Sequence, residues 1–210
     1  MTTEELNDWF DQTAKIITDL HICLNNANRL FDSKYENEDW IKNHGFFRHH
    51  YYQLWFIMSI QLAKLLSDSK NQKYNFNKLL NRLEQEKLDE SILQLIDQNK
   101  NKRFSAVFKD KREMLNKIQY FKQEIKDNEN TIKKFIVSRD TLYAHRDRDA
   151  TLQGLTLPDA ERLISLCKDI YNCFRGGIFD VYFEFARTYD WSIDFVIKQA
   201  ALAKTLRPKR

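Results

Sequence analysis

Glycine and proline are scarce in this chain, 4 and 2 in 210 residues, about 3% together where an average chain has roughly 12%. A β-rich fold needs turn residues every 8–12 positions or so, and this sequence cannot supply them. Cysteine is also sparse. Cys23, Cys167 and Cys173 form no CxxC pair and are odd in number, the usage expected of reduced helix-packing residues in a cytosolic protein rather than of a disulfide framework or a zinc site. No long apolar run occurs. The most apolar stretch, Tyr51–Leu66, is interrupted by Gln53, Ser59, Gln61 and Lys64 and falls short of a membrane span. Met1–Asp11 is acidic and polar and does not read as a signal peptide. A Gly-rich phosphate loop and a serine nucleophile elbow are both missing, which removes the hardware for P-loop, Rossmann and α/β-hydrolase chemistry.

What the chain has is apolar and aromatic mass, 42% hydrophobic with 15 Phe and 9 Tyr, enough for a sizeable core and too much for a disordered segment. Charge is high but balanced: 34 Lys and Arg against 30 Asp and Glu give a net of +4. That excess permits nucleic-acid binding without demanding it. The expected fold class is all-α, an up-and-down helical bundle in one domain, placed in the cytoplasm with no membrane partner.

Apolar residues at steps of three and four from Leu6 to Leu30 predict a long first helix, with Thr3 placed to cap it. Asp32–Gly45 reads as a connection. Phe46–Leu66 is apolar nearly all round, the mark of a helix at the centre of a bundle. After a polar loop, Ser67–Asn75, two short amphipathic helices are expected over Asn77–Gln85 and Glu90–Asp97. A longer one is expected over Arg103–Lys126. Asp127–Asn130 interrupts the pattern by a break or a mere polar patch, and helical period resumes from Ile132 to Tyr143. Arg146–Gly154 reads as a loop. Thr156, Pro158 and Asp159 announce another helix, which Gly176 and Gly177 are placed to kink. A run of aromatics follows (Phe174, Phe179, Tyr182, Phe183, Phe185, Tyr189, Trp191), at spacings that suit helices of the core or a subunit interface. The last helix is expected over Ser192–Lys204, followed by a basic tail, Leu206–Arg210.

One segment carries chemistry. Ile132, Ile136, Arg139 and Tyr143 are spaced by four, three and four, so Arg139 stands in an apolar stripe where the pattern calls for Leu. A guanidinium there loses hydration at a cost of several kcal/mol, as an order of magnitude, unless an anion meets it. The anion is either an internal carboxylate, such as Asp140 or Asp147, or a phosphate docking in a cleft or at a second subunit. His145 lies six residues on, roughly 120° round an ideal helix; convergence needs a tightened last turn, a helix that stops near Ala144, or a second copy. His44, His49 and His50 cluster among Phe46, Phe47, Tyr51 and Tyr52. Their spacing suits helix-entry packing better than a metal site. With Arg48 between the rings they also suit an RNA-stacking surface, which burial in a central helix would deny to most of them.

The run Ser138-Arg139-Asp140-Thr141-Leu142-Tyr143-Ala144-His145, with Asp147 after it, resembles the signature of HEPN domains. Its Arg-Asp…Ala-His…Asp wording is closest to the abortive-infection AbiU-type branch. Tyr51–Ile57 and Leu62–Leu66, then a polar loop and a Leu-rich short helix, resemble the same branch, and the likeness covers roughly residues 46–170. It implies a HEPN-like core over about 46–170 within a single domain of 1–210, with aromatic helices over 171–205 and the tail 206–210 appended. It implies a metal-independent endoribonuclease that needs no cofactor, or a silent relative that binds RNA or protein. It also implies a homodimer whose two motifs face each other, a setting in anti-phage defence or a toxin–antitoxin pair, and an antitoxin protein as possible partner. Carried onto this chain, the resemblance has Arg139 hold a phosphate, His145 move the proton and Asp140 orient one of them. Arg146 and Arg148 would touch RNA backbone, or else neutralise Asp147 and Asp149 on a solvated loop. Family members regulated by nucleotidyltransferases carry Tyr two residues after the His; here that position is Asp147.

Overall fold

The computed structural model describes residues 1–32, 34, 38–68, 71–85, 88–102, 107–144, 154–186 and 191–205, with the backbone alone for 141–144 and 204–205. Among them stand nine helices and no strand: α1 (Thr3–Phe31), α2 (Glu38–Lys42), α3 (Gly45–Leu66), α4 (Phe76–Glu84), α5 (Glu90–Asn99), α6 (Lys111–Asp127), α7 (Glu129–Ala144), α8 (Leu157–Phe179) and α9 (Asp194–Thr205). The fold is all-α, as the scarcity of turn residues requires.

Local chemistry sets the helix ends. Thr2, not Thr3, caps α1: its hydroxyl accepts from the Glu5 N–H while the Glu5 carboxylate accepts from the Thr2 N–H, a reciprocal box that satisfies two otherwise orphaned donors. Thr3 instead shares a hydrogen bond with Ser91 Oγ at 2.5 Å. Thr156 and Asp159 form the same box at the start of α8, with Pro158 in its first turn. The expected helix from Arg103 starts only at Lys111, where Asp110 caps it; residues 103–106 lie outside the described residues. Asp127–Asn130 proves to be a break. Asn128 closes α6 through its N–H and side-chain amide on the Glu124 carbonyl (3.2 and 2.9 Å), and its own carbonyl accepts from Ile132 in α7.

Gly176 and Gly177 do not interrupt α8. A Cβ on Gly177 would lie 2.1–2.6 Å from atoms of the Phe108 ring, so the glycine is there to admit a buried ring from the segment before α6. Phe108 then meets Phe174, which also meets Phe121. Of the aromatic run after α8, the part over 181–186 is not helical either. Asp180 ends α8 in the left-handed conformation, φ 57°, and residues 181–186 are coil and turn, with Phe185 buried while Tyr182 and Phe183 face solvent. The expected connection 32–45 contains α2.

Side-chain contacts fix the helix directions. Phe31 at the end of α1 meets Tyr51 near the start of α3, so the two run antiparallel. Arg175–Asp11 at 3.3 Å and Lys168–His21 at 2.7 Å set α8 antiparallel to α1. Arg162 reaches Thr131 at 2.9 Å, while Gly154, just before α8, lies beside Lys134, so α7 runs against α8. The four long helices α1, α3, α7 and α8 therefore alternate up, down, up, down around one apolar core. The C-terminal halves of α1 and α7 and the first turns of α3 share one end of the bundle.

Candidate functional site

That shared end holds the Arg–His segment. Ile132 and Phe135 are buried on α7, with Phe135 stacked on Trp55 of α3 at 6.3 Å between ring centroids and 22° between planes. Arg139 follows Phe135 by one turn, about 6 Å along the axis, and continues the same face toward the level of Tyr51. It does not enter the core. Its side chain keeps 25% of its surface in water, and its partner among the described residues is Asp140, itself 62% exposed. Nε and Nη2 both reach Asp140 Oδ1, at 2.8 and 2.7 Å. One edge of the guanidinium is thereby committed, and among the described residues nothing takes the edge formed by Nη1 and the second Nη2 hydrogen.

Of the sequence-predicted site residues, Arg139 and Asp140 stand together in this way. His145, Arg146 and Arg148 lie outside the described residues. Gly154 and the start of α8 return to the level of Lys134, so the last ten residues of α7 extend past the first turn of α8 alongside α3.

The same end carries an aromatic and basic face. Phe31, Trp40, Phe46 and Tyr52 are exposed; for Phe46 and Tyr52 this runs against the expectation that a central helix would hide most of the rings around His49 and His50, whereas Phe47 is buried and Tyr51 half-buried. Of the first two turns of α3 only Phe47 is buried, whereas from Leu54 onward nearly every position is buried or half-buried. Rings pair along this surface, Phe46 on His50 and His49 on Tyr52, both stacked. Among the described residues no group of three or more His, Cys, Asp or Glu is arranged to hold a metal ion. Beside the rings lies an open cavity of about 380 Å³ bounded by the end of α1, the end of α2 and the start of α3.

Sequence reasoning missed what holds this end together. Arg29, 6% exposed, donates to fully buried Glu38 of α2, to Asp194 of α9, and at 2.6 Å to the Asp32 carbonyl. Burial alone would raise the Glu38 pKa, but hydrogen bonds from Arg29 and the Lys34 N–H, with the charges of Arg29 and Lys42, bring it below the ordinary carboxylate value. The same cluster raises the Arg29 pKa, mainly through its bond to Glu38. No periodic signal marks Glu38, because it sits nine residues along the chain in a polar segment.

The cysteines are free. Burial pushes the thiols of Cys23 and Cys173 up to about 12 and that of Cys167 higher still, which leaves them as inert packing groups. No described helix is long and apolar enough to cross a membrane.

A model of the HEPN family described as AbiU2 matches residues 3–183. The chain belongs to the AbiU2 family of HEPN proteins. The AbiU2 match begins in the first turn of α1 and ends beyond α8, so it takes in α1, which the motif-based likeness over 46–170 did not reach. No curated protein and no solved structure matches the chain.

Proposed function

We propose that this AbiU2-family protein is a metal-independent endoribonuclease that works as a homodimer in the cytoplasm, in anti-phage defence or as the toxin of a toxin–antitoxin pair. The observation that carries the reading is the place of Arg139. A cation that continues a core face, yet stops at the surface with one guanidinium edge uncommitted among the described residues, is suited to an incoming phosphate.

RNA carries its own nucleophile. The 2′-oxygen attacks the adjacent phosphorus, the bond to the 5′-oxygen breaks, and the products are a 2′,3′-cyclic phosphate and a 5′-hydroxyl. One proton leaves the 2′-OH and one is delivered to the departing 5′-oxygen, so the protein must move protons and stabilise the charged phosphorane. Arg139 supplies the charge stabilisation. Asp140 is a positioning residue, fixing the guanidinium plane by its two short contacts. His145, of the residue type that titrates near neutral pH, moves the proton. Arg146 and Arg148 add weak contacts to RNA backbone. The alternative is a non-catalytic module in which the Arg139–Asp140 pair only shapes an RNA- or protein-binding face; that the guanidinium already has a carboxylate partner favours it.

The test incubates purified wild type and an Arg139→Ala/His145→Ala variant with mixed RNA in EDTA, with folding checked by circular dichroism. Cleavage by wild type alone, leaving cyclic phosphate ends, is the expected result. Folded wild type that leaves RNA intact, alone and as a concentrated dimer, points to the binding module, and cutting by both proteins overturns the assignment of the site.

A further inference from the structure

We infer that the cavity between the end of α1 and the first turns of α3 is a nucleotide subsite, in which a base lies on the Phe31 and Tyr51 rings and its phosphate meets Arg48 and Lys42. The inference rests on the ribonuclease reading and names a second point at which that site would grip its substrate.

The cavity has the size and the chemistry for one nucleotide. Its volume is about 380 Å³, within the range of pockets that take small organic ligands. Its apolar wall is aromatic. Phe31 is 72% exposed although it belongs to α1, and its ring leans on Tyr51 at 6.1 Å. A bare ring at the rim offers a face on which a base stacks without regard to sequence. The polar wall is cationic: Arg48 and Lys42 line it, and no acidic side chain does among the described residues. Lys42 also lies 3.5 Å from Glu38, while Arg48 is exposed on the first turns of α3. Asn43 donates its amide to the Asp39 carbonyl at 2.7 Å, which presents its Oδ1 as an acceptor for a base-edge N–H.

Position ties the cavity to the Arg–His segment. Trp55 and Phe135 stack; one turn from Trp55 along α3 is Tyr51, and one turn from Phe135 along the antiparallel α7 is Arg139. A strand whose phosphate reached Arg139 would pass the mouth of this cavity at the same end of the bundle. The ligand chemistry is a nucleotide, whether free or within a strand.

The test measures fluorescence anisotropy of a labelled mixed-sequence RNA hexamer carrying 2′-O-methyl groups, a strand that binds but cannot be cut. Arg48→Gln and Phe31→Ser change exposed side chains, with helicity confirmed by circular dichroism; Lys117→Gln, an exposed position of α6 near Cys173, removes the same charge elsewhere. About tenfold weaker binding for the first two and less than twofold for the third is expected. Displacement by AMP at the concentration of unlabelled hexamer identifies a free nucleotide as the occupant, and displacement by hexamer alone identifies a strand. Equal binding by wild type and both cavity variants, or displacement by inorganic phosphate as readily as by nucleotide, overturns the subsite. So does a wild type that ignores the hexamer. The cleavage assay in EDTA is scored separately, so the ribonuclease reading stands or falls independently of these results.

Discussion

Arg29 and Arg139 both meet a carboxylate at the same end of the bundle, and they do so in opposite ways. Arg29 is sealed between α1, α2 and α9, with Glu38 fully buried and Asp194 and the Asp32 carbonyl taking its other donors. Arg139 holds one oxygen of an exposed neighbour and, among the described residues, leaves the other edge of its guanidinium untaken. A buried pair is strained by lost hydration and survives only when each charge is matched. An exposed pair costs little to open and contributes little to stability. The first arrangement ties helices together; the second is suited to exchanging partners.

The largest effect should come from breaking the buried cluster. Arg29→Ala leaves Glu38 without its main partner in the interior and should cost about 3–5 kcal/mol, read as a lower urea midpoint. Replacing both partners, Arg29→Met with Glu38→Leu, should recover most of that loss, because two apolar side chains carry no desolvation cost. A single-variant loss below about 1 kcal/mol, the scale of an exposed pair, would erase the distinction between the two arginines.

A smaller effect follows from the Glu38 carboxyl. Its pKa is lowered in the folded protein from an ordinary value of 4.5, so the unfolded chain binds more protons between the two values. The stabilisation is therefore fully present above pH 4.5 and is lost as the pH falls through the folded value. Unfolding midpoints measured from pH 6 downward should fall less steeply for Glu38→Gln than for wild type. Parallel acid limbs would show that Glu38 is not coupled to Arg29 as the structure has it.

The contrast also explains how much was legible from sequence. Periodicity located most of the helices, because each buries one stripe and the stripe is written at steps of three and four. It failed where a single residue answers to a distant one. Gly177 reads as a kink, yet it is a seat for Phe108, some seventy positions earlier. The Phe179–Tyr189 rings suit a helix by spacing, but the left-handed turn at Asp180 ends it. Arg139 was visible for the reason Arg29 was not: it breaks an apolar stripe beside a recognisable motif, whereas Arg29 lies off the Leu24, Ala27, Leu30 line and its partner sits in a segment with no period. The exposed ring face was hidden for a related reason. Composition marks α3 as central, but only tertiary packing shows that its first turns bury one ring, Phe47, and leave Phe46 and Tyr52 to solvent.

The smallest effect on stability, and the one that decides the comparison, belongs to Arg139→Ala. Removing this side chain opens a pair whose carboxylate is already hydrated, so the unfolding midpoint should move by no more than about 1 kcal/mol. Part of even that change would come from its methylene stem, since three quarters of the side chain is out of water. RNA cleavage should meanwhile fall by about a hundredfold or more, the scale expected when a preorganised cation is taken from a developing charge. The two measurements must be made on the same preparation, because either alone is ambiguous. Lost cleavage in a protein of unchanged stability assigns Arg139 to the substrate. Lost cleavage together with a midpoint shift as large as that of Arg29→Ala would make both arginines ties of the fold, and the difference between the two pairs would be one of exposure only.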